Sequence, residues 1–465
     1  MTDRTTPDGN RPHDLIGIGL GPFNLSLAAL AHNIPGTPLT TAFYEQRPAF
    51  HWHPGLLIDG ATLQVPFLAD LTTLADPTSP WTFLNYLRTR DRLYPFYFAE
   101  QFHIHRAEYD AYCRWVSEQL PTTHFHHRID TIRWNPDHAH FDVDYTRLHP
   151  DGEAGTPGRT HTRNIALGVG TEPFIPEPLR PLADAPDTPV IHSADYLHHR
   201  DTLLGADHIT VIGSGQSGAE IFLDLLRARP HGAEKIHWLA RTQAFAPMEY
   251  SKLGLEHFTP DYTRYFHALP EQVRDALVPQ QWQLHKGIDT DTIAAIHDEL
   301  YRRTLHGGWP DTTLTPGVTV RTAGRRSDDS ARIELHLEHI QQATRSRLTT
   351  DAVVLATGAL ALGLVRHPHR SCAVGIAVQR RGRRPGGYRG QQHRVRQPVR
   401  DMEMRPDRPA HPVDERDRTV RKGDPRLRRA QHHRLARRRV HRVAAHAAQI
   451  GRDCAHREQR HAVAE

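Results

Sequence analysis

HDLIGIGLGPFNLSLAAL, from His13 to Leu30, and HITVIGSGQSGAEIFLDLL, from His208 to Leu226, are the two stretches that decide the fold. In each, a β-branched apolar run leads into closely spaced glycines and then into a helix-like run. Glycines permit a tight turn and a close backbone approach to a pyrophosphate, and the helix that follows aims its N-terminal amides at it. One such turn is a weak signal. Two of them, about 195 residues apart and each followed by another strand, predict an α/β chain that holds two dinucleotides. The residue closing the next strand separates the two sites: TAFYE ends on Glu45, whereas KIHWLAR ends on Arg241. A carboxylate accepts hydrogen bonds from a ribose diol and repels a phosphate, while a guanidinium matches a phosphate. The first site is therefore read as an FAD site, around Gly19, Gly21, Pro22, Asn24, Leu25 and Glu45. The second is read as an NADPH site, around Gly213, Ser214, Gly215, Gln216, Ser217 and Arg241.

At 465 residues the chain is long enough for two or three domains with sizeable cores. Its cysteines, Cys113, Cys372 and Cys454, have neither pairing nor metal-ligand spacing, which suits a reducing cytoplasm and argues against a disulfide framework. No stretch has the apolar length of a targeting or membrane-spanning segment.

Charge is unevenly placed. Residues 359–465 carry 27 Lys plus Arg against 10 Asp plus Glu, and the remainder carries 31 against 43. This tail has one aromatic, Tyr388, and one lysine, Lys422, beside 26 arginines. It shows neither strand nor helix periodicity and cannot build a core. A native basic arm for nucleic acid normally mixes Lys with Arg, so nucleic acid is not an expected partner. Out-of-frame translation of a GC-rich coding sequence yields this composition. The change is also abrupt and falls inside an expected element, TTDAVVLATG from Thr349 to Gly358, so the tail is read as non-native, with a native disordered extension as the alternative.

Ahead of that break the pattern predicts two nested Rossmann-like domains. Residues 13–207 form the first, with helices near Pro80–Thr89 and Arg106–Leu120, strand pairs around Phe125–Tyr145 and the strand NIALGVG from Asn164. The proline-rich segment from Thr171 to Asp207 links outward. Residues 208–348 form the second, with a helical insertion over 262–305, and 349–358 re-enters the first.

The segments GIGLGPFNLSLAAL, FYEQRPAFHWHPG, LQVPFLADLTTLADPTSPWTFLNYL, RAEYDAYCRW, VIGSGQSGAE and VVLATG, in this order, resemble the lysine/ornithine N-hydroxylase family of siderophore biosynthesis, over roughly Asp14 to Gly358. The resemblance implies a flavin monooxygenase in which NADPH reduces FAD, molecular oxygen is activated, and the terminal amine of a small substrate takes one oxygen atom. It implies that Gln64 lies against the flavin ring and Arg106 near flavin and nicotinamide. The plain alternative for Arg106 is a surface ion pair with Glu108 or Asp110. An amine with an ordinary pKa near 10.4 must be held neutral to react, which a desolvated aromatic pocket achieves. Trp52, His53, Phe67 and Trp81 are candidates to line it, and Trp52 and His53 are also expected to bind the cofactor. His51 and His53 lack acidic or cysteine partners, so no metal is expected.

Two departures bear on substrate. Members that hydroxylate amino acids usually carry Lys five residues after the flavin-facing Gln, where it can pair with the substrate carboxylate; that position is Ala69. A second polar position is Leu255. Without both anchors a carboxylate would sit unpaired in a desolvated pocket, at a cost of several kcal/mol. A diamine such as cadaverine or putrescine avoids that cost, and L-lysine requires another cation, for which Lys252 and Arg264 are near in sequence. Competing readings are another class of flavin monooxygenase, or an inactive flavoprotein remnant with a nucleic-acid-binding tail. Homo-oligomerisation is compatible with all of them.

Overall fold

The computed structural model describes residues 11–361, apart from residues 33, 35, 37–38, 306 and 327–331, together with residues 376–377. The expected non-native tail, 359–465, falls almost wholly outside the described residues.

Leu15–Ile18, the strand before the first glycine turn, is four residues long and buried throughout, as a strand covered on both faces must be. It lies between the parallel strands Ile165–Leu167 and Thr41–Tyr44, and Thr123–His124 follows Thr41–Tyr44. Residues 376–377 add an antiparallel edge beside Ile165–Leu167. One face of this sheet carries the helices Pro22–His32 and Arg106–Gln119. Pro22 takes the first helical position, where its missing N–H costs nothing, and eight of the eleven residues in its helix are buried. The other face is covered by an antiparallel sheet of His127–Asn135, His140–Leu148 and Ala154–Thr162, through Val143, Ile129 and Phe141. Sequence periodicity located the first two of these strands and missed the third.

The same plan recurs around the second turn. Thr312–Thr315, Ile236–Leu239, Ile209–Ile212, Ala352–Leu355 and Val190–His192 form a parallel sheet in that order. Helices Tyr196–Gly205, Gln216–Ala228 and Thr290–Thr304 pack on one face and the antiparallel strands Val318–Arg325, Ile333–His339 and Arg345–Thr350 on the other.

Two expectations are corrected. The strand of VVLATG does not re-enter the first sheet; Val353 lies beside Thr210 and Val190, at the heart of the second. Nor does 171–207 merely link outward, because Val190–His192 is an edge strand of that second sheet and Tyr196 and Leu203 belong to its core. The second unit therefore begins well before residue 208. The chain passes between units at a two-stranded antiparallel ribbon, Thr171–Pro173 against Ala359–Ala361, reinforced by Phe174 N donating to Gly358 O at 3.0 Å.

The units also meet directly. Residues 54–61 of the first unit lie against the second: Ile58 is buried in the second helical core, and a Cβ on Gly55 would stand 1.9 Å from Ala194 O.

Candidate functional site

Both glycine turns sit at the C-terminal ends of their parallel strands, where open α/β sheets bind ligands. Within each turn the glycines have different tasks. Gly19 has φ +79° and a Cβ there would lie 2.3 Å from Gly168 O; Gly213 has φ +138° and a Cβ would lie 2.1 Å from Ala356 O. These glycines let the turn press against the neighbouring strand's exit. Gly218, by contrast, lets the helix approach Gly213 O, 2.6 Å from its would-be Cβ. Gly21 and Gly215 have no protein atom within 4 Å of theirs. They face open space, as seats for a close-approaching ligand do.

Asn24 and Leu25 support the first turn from behind. Asn24 is buried and its Nδ2 donates to Gly19 O at 2.7 Å and to Ile18 O at 3.2 Å, while Leu25 is fully buried and its amide donates to Gly21 O. Glu45 closes the neighbouring strand as expected and is 6% exposed. Its Oε2 accepts from Leu20 N at 2.9 Å and its Oε1 from Arg47 N and Nε at 3.0 and 3.1 Å. Burial works against ionisation, but the Arg47 side chain and the two amides outweigh it and hold the carboxyl below its ordinary value. Arg47 was not singled out by sequence.

His53 has φ 47° and ψ 57°, a left-handed conformation that is uncommon outside glycine. Its ring is exposed, yet surrounding protein, and then the charges of Arg106 and Arg47, lower its pKa. His51 turns elsewhere, to Arg114, so the two histidines form no joint site. The Trp52 amide donates to Asp110 Oδ1 at 2.7 Å, and its ring meets Tyr109 edge-on. Trp81 is a core residue packed on Trp115; Phe67 is partly buried against the same core.

Gln64 and Arg106 meet on one carbonyl. Gln64 Nε2 and Arg106 Nε donate to Thr62 O at 3.0 and 3.2 Å. The plain alternative for Arg106 is excluded, since Glu108 pairs with Arg92 and Asp110 with Arg114. Arg106 instead forms a bidentate pair with Glu220 on the second unit, Nη1 to Oε2 at 2.7 Å and Nη2 to Oε1 at 2.8 Å. Burial raises the Glu220 pKa, and Arg106 opposes that rise. Gln216 Nε2 donates to the same Oε1 at 2.8 Å. Glu220 was unread in the sequence because its partner is 114 residues away.

On the second turn, Trp238 Nε1 donates to Gly213 O at 2.7 Å, and Ser214, Gly215, Gln216 and Ser217 are half-buried. Arg241 is exposed just past the strand end. Lys286, from the helical insertion, lies close enough that burial and then the Arg241 charge lower its pKa. Two cations held together in this way suit an anion. The sequence offered no signal for Lys286 beyond its charge.

Ala69 ends the short helical turn Phe67–Ala69 and is half-buried; Leu255 lies on Gly254–Phe258 and is 40% exposed. Asp70, next to Ala69, is consumed structurally, accepting from the amides of Thr72, Thr73 and Phe83. Arg264 pairs with Asp261 on its own helix. Among the described residues, His140, Asp142 and His161 on the outer antiparallel sheet, and Asp207, His208 and Asp351 at the start of the second sheet, are close enough to hold an ion. In both groups the side chains already bond one another as cross-strand or loop pairs. No described helix is long and apolar enough to cross a membrane.

Comparison with known proteins adds three findings. Residues 11–359 match the family model of L-lysine 6-monooxygenase/L-ornithine 5-monooxygenase. A rhizobactin siderophore biosynthesis protein of Rhizobium meliloti is 43% identical over 352 residues, covering 74% of each chain, and a putrescine N-hydroxylase of Shewanella oneidensis is 40% identical, covering 74% of this chain and 67% of its own. Among solved structures, the FAD-bound cadaverine monooxygenase of desferrioxamine biosynthesis from Erwinia amylovora superposes with a TM-score of 0.69 at 35% identity, over 75% of this chain and 79% of its own.

Proposed function

The chain belongs to the L-lysine 6-monooxygenase/L-ornithine 5-monooxygenase family, and from that membership we propose that it is an FAD- and NADPH-dependent enzyme that N-hydroxylates a primary aliphatic amine for a hydroxamate siderophore. The observation that carries the reading is the pair of glycine turns. Each leaves its second glycine, Gly21 or Gly215, open where a Cβ would fill the seat, and each is followed by a strand closing on the residue its nucleotide requires. The first seat fits FAD, with Glu45 toward the ribose; the second fits NADPH, with Arg241 and Lys286 toward the extra phosphate. When bound, these groups supply hydride transfer and oxygen activation.

The chain's own residues supply position and environment. Gln64 and Arg106, meeting on Thr62 O, set polar groups at the boundary between the units, where Arg106 reaches Glu220. Surrounding protein, and then the charges of Arg106 and Arg47, lower the pKa of His53. The same surroundings disfavour a second cation, so an entering ammonium is favoured in its neutral form, the form that can accept an oxygen atom.

The amine is proposed to be a diamine. Ala69 and Leu255 offer no charge to a carboxylate, Arg264 is paired with Asp261, and Lys252 is exposed. Hydroxylamine formation coupled to NADPH oxidation is expected to show a higher kcat/KM for cadaverine or putrescine than for L-lysine. A faster reaction with L-lysine or L-ornithine would remove the diamine assignment.

The out-of-frame origin of the tail is likewise a proposal. The family match stops at residue 359, where the composition changes. The coding DNA, read in the other frames after the codon for Gly358, should restore aromatic residues and a body-like composition.

A further inference from the structure

Gln216 is the first residue of the helix that follows Gly215, so its side chain leaves from the rim of the open seat. Every polar atom of that side chain is engaged: Nε2 donates to Glu220 Oε1 at 2.8 Å and to Thr292 Oγ1 at 2.9 Å, and Oε1 accepts from Asp289 N at 2.7 Å. Glu220, one helical turn on, has 7% of its side chain exposed and grips Arg106 through both oxygens. Arg106 in turn shares Thr62 O with Gln64. An unbroken series of hydrogen bonds thus runs from the rim of the second seat, across the boundary between units, to the polar pair on Thr62 O.

Electrostatics make this arrangement more than glue. A carboxylate one turn into a helix whose N-terminus faces a pyrophosphate repels that ligand unless it is neutralised. The neutralising cation is supplied by the other unit. For adhesion alone, a buried ion pair gains little over an apolar contact of the same size.

We propose that Glu220 is a positioning residue for Arg106: with Gln216 it ties the guanidinium to the glycine turn of the second unit, so that seating the nicotinamide dinucleotide and presenting Arg106 at the boundary between the units are one event. This rests on the function proposed above.

The test uses the full chain loaded with FAD and follows two quantities: equilibrium binding of NADP+ by calorimetry, and anaerobic bleaching of the flavin by saturating NADPH. Glu220→Gln keeps the shape and removes the charge. It is expected to retain FAD and to bind NADP+ within about threefold of the unsubstituted chain, while bleaching slows about tenfold or more. Arg106→Lys, which keeps charge but loses the fork, is expected to show the same split, and the double variant to be no slower than the slower single one. Glu220→Asp, with charge kept and reach shortened, should bleach at an intermediate rate, and it carries the test if Glu220→Gln fails to hold FAD. Unchanged bleaching in these variants, or defects that multiply independently in the double, would overturn the proposal alone. Failure of NADPH to bleach the unsubstituted, FAD-loaded chain, both as it stands and with its frame restored, would overturn the functional reading and this inference with it.

Discussion

A methyl group placed on Gly19 and one placed on Gly21 meet opposite surroundings. At Gly19 it would collide with Gly168 O in a left-handed turn; at Gly21 it meets nothing from the protein. Gly19→Ala is therefore expected to destabilise the fold by several kcal/mol, read in denaturant titrations of the apoprotein. Gly21→Ala should leave those titrations unchanged within about 0.5 kcal/mol and weaken FAD binding instead. Comparable loss of stability in both would mean that Gly21 is a packing residue. Arg241→Ala should raise the KM for NADPH far more than that for NADH, by about 1.5–3 kcal/mol of charge-assisted contact, with Lys286→Ala acting in the same direction. Equal effects on both nucleotides would remove these residues from the phosphate. Glu45 adds a pH dependence. Its carboxyl is held below its ordinary value, so its stabilising share is complete above that value and disappears as pH falls through the lower, folded one. The stability gap between the unsubstituted chain and Glu45→Gln should accordingly close on acidification; a gap that widens in acid would contradict the assigned partners. Gly19, Gly21, Glu45 and Arg241 were legible in the sequence because each stands at a fixed offset from a turn. Arg47, Glu220 and Lys286 were not, because the groups that give them meaning arrive from other elements.

At the scale of elements, legibility followed length and period. The helices after the two glycine turns carry buried residues nearly all round or along one broad face, and were read directly. The strand Ala352–Leu355 was recognised as a strand but placed in the wrong sheet. Four buried apolar residues carry no mark of which parallel neighbour they will take, and only the pairing with Ile209–Ile212 decides it. The helix Leu93–Ala99 was missed because it is short, aromatic and interrupted by Pro95, and it leaves Tyr94, Tyr97 and Phe98 exposed. The helix Thr290–Thr304 is held to the second sheet by Arg303, which is 2% exposed and bonds Glu234 Oε1 and Glu299 Oε1, each at 2.8 Å. Arg303→Met would leave the buried Glu234 without its cation, while Glu299 keeps Arg302, and is expected to cost about 3–5 kcal/mol in chemical unfolding. A loss below 1 kcal/mol would show that water reaches this network.

For the molecule as a whole, the repeated plan of helices, parallel sheet and antiparallel sheet was foreshadowed by the paired turns, whereas the boundary between units was not, since it depends on where Val190–His192 and Ala352–Leu355 dock. The family match ends at residue 359, and the proposed out-of-frame tail is expected to leave the first unit holding its cofactor weakly. The 465-residue chain should therefore lose FAD on gel filtration more readily than a version with its frame restored. Stoichiometric FAD and full coupled turnover in the 465-residue chain would refute both the frame reading and the expected impairment.

The ribbon of Thr171–Pro173 against Ala359–Ala361 makes the second unit a cassette. The chain leaves at Pro173 and returns at Ala359, its direct cross-strand neighbour, so everything from residue 174 to residue 358 hangs from a doorway one strand-pair wide. A two-residue hairpin turn spans such a gap, and insertions are tolerated best where the two ends lie side by side. One splice at that doorway adds, removes or exchanges a complete nucleotide-binding unit without rethreading a strand of the other. What such a splice would leave behind is the surface around Ile58 and Gly55, the part of the first unit already shaped to receive a companion.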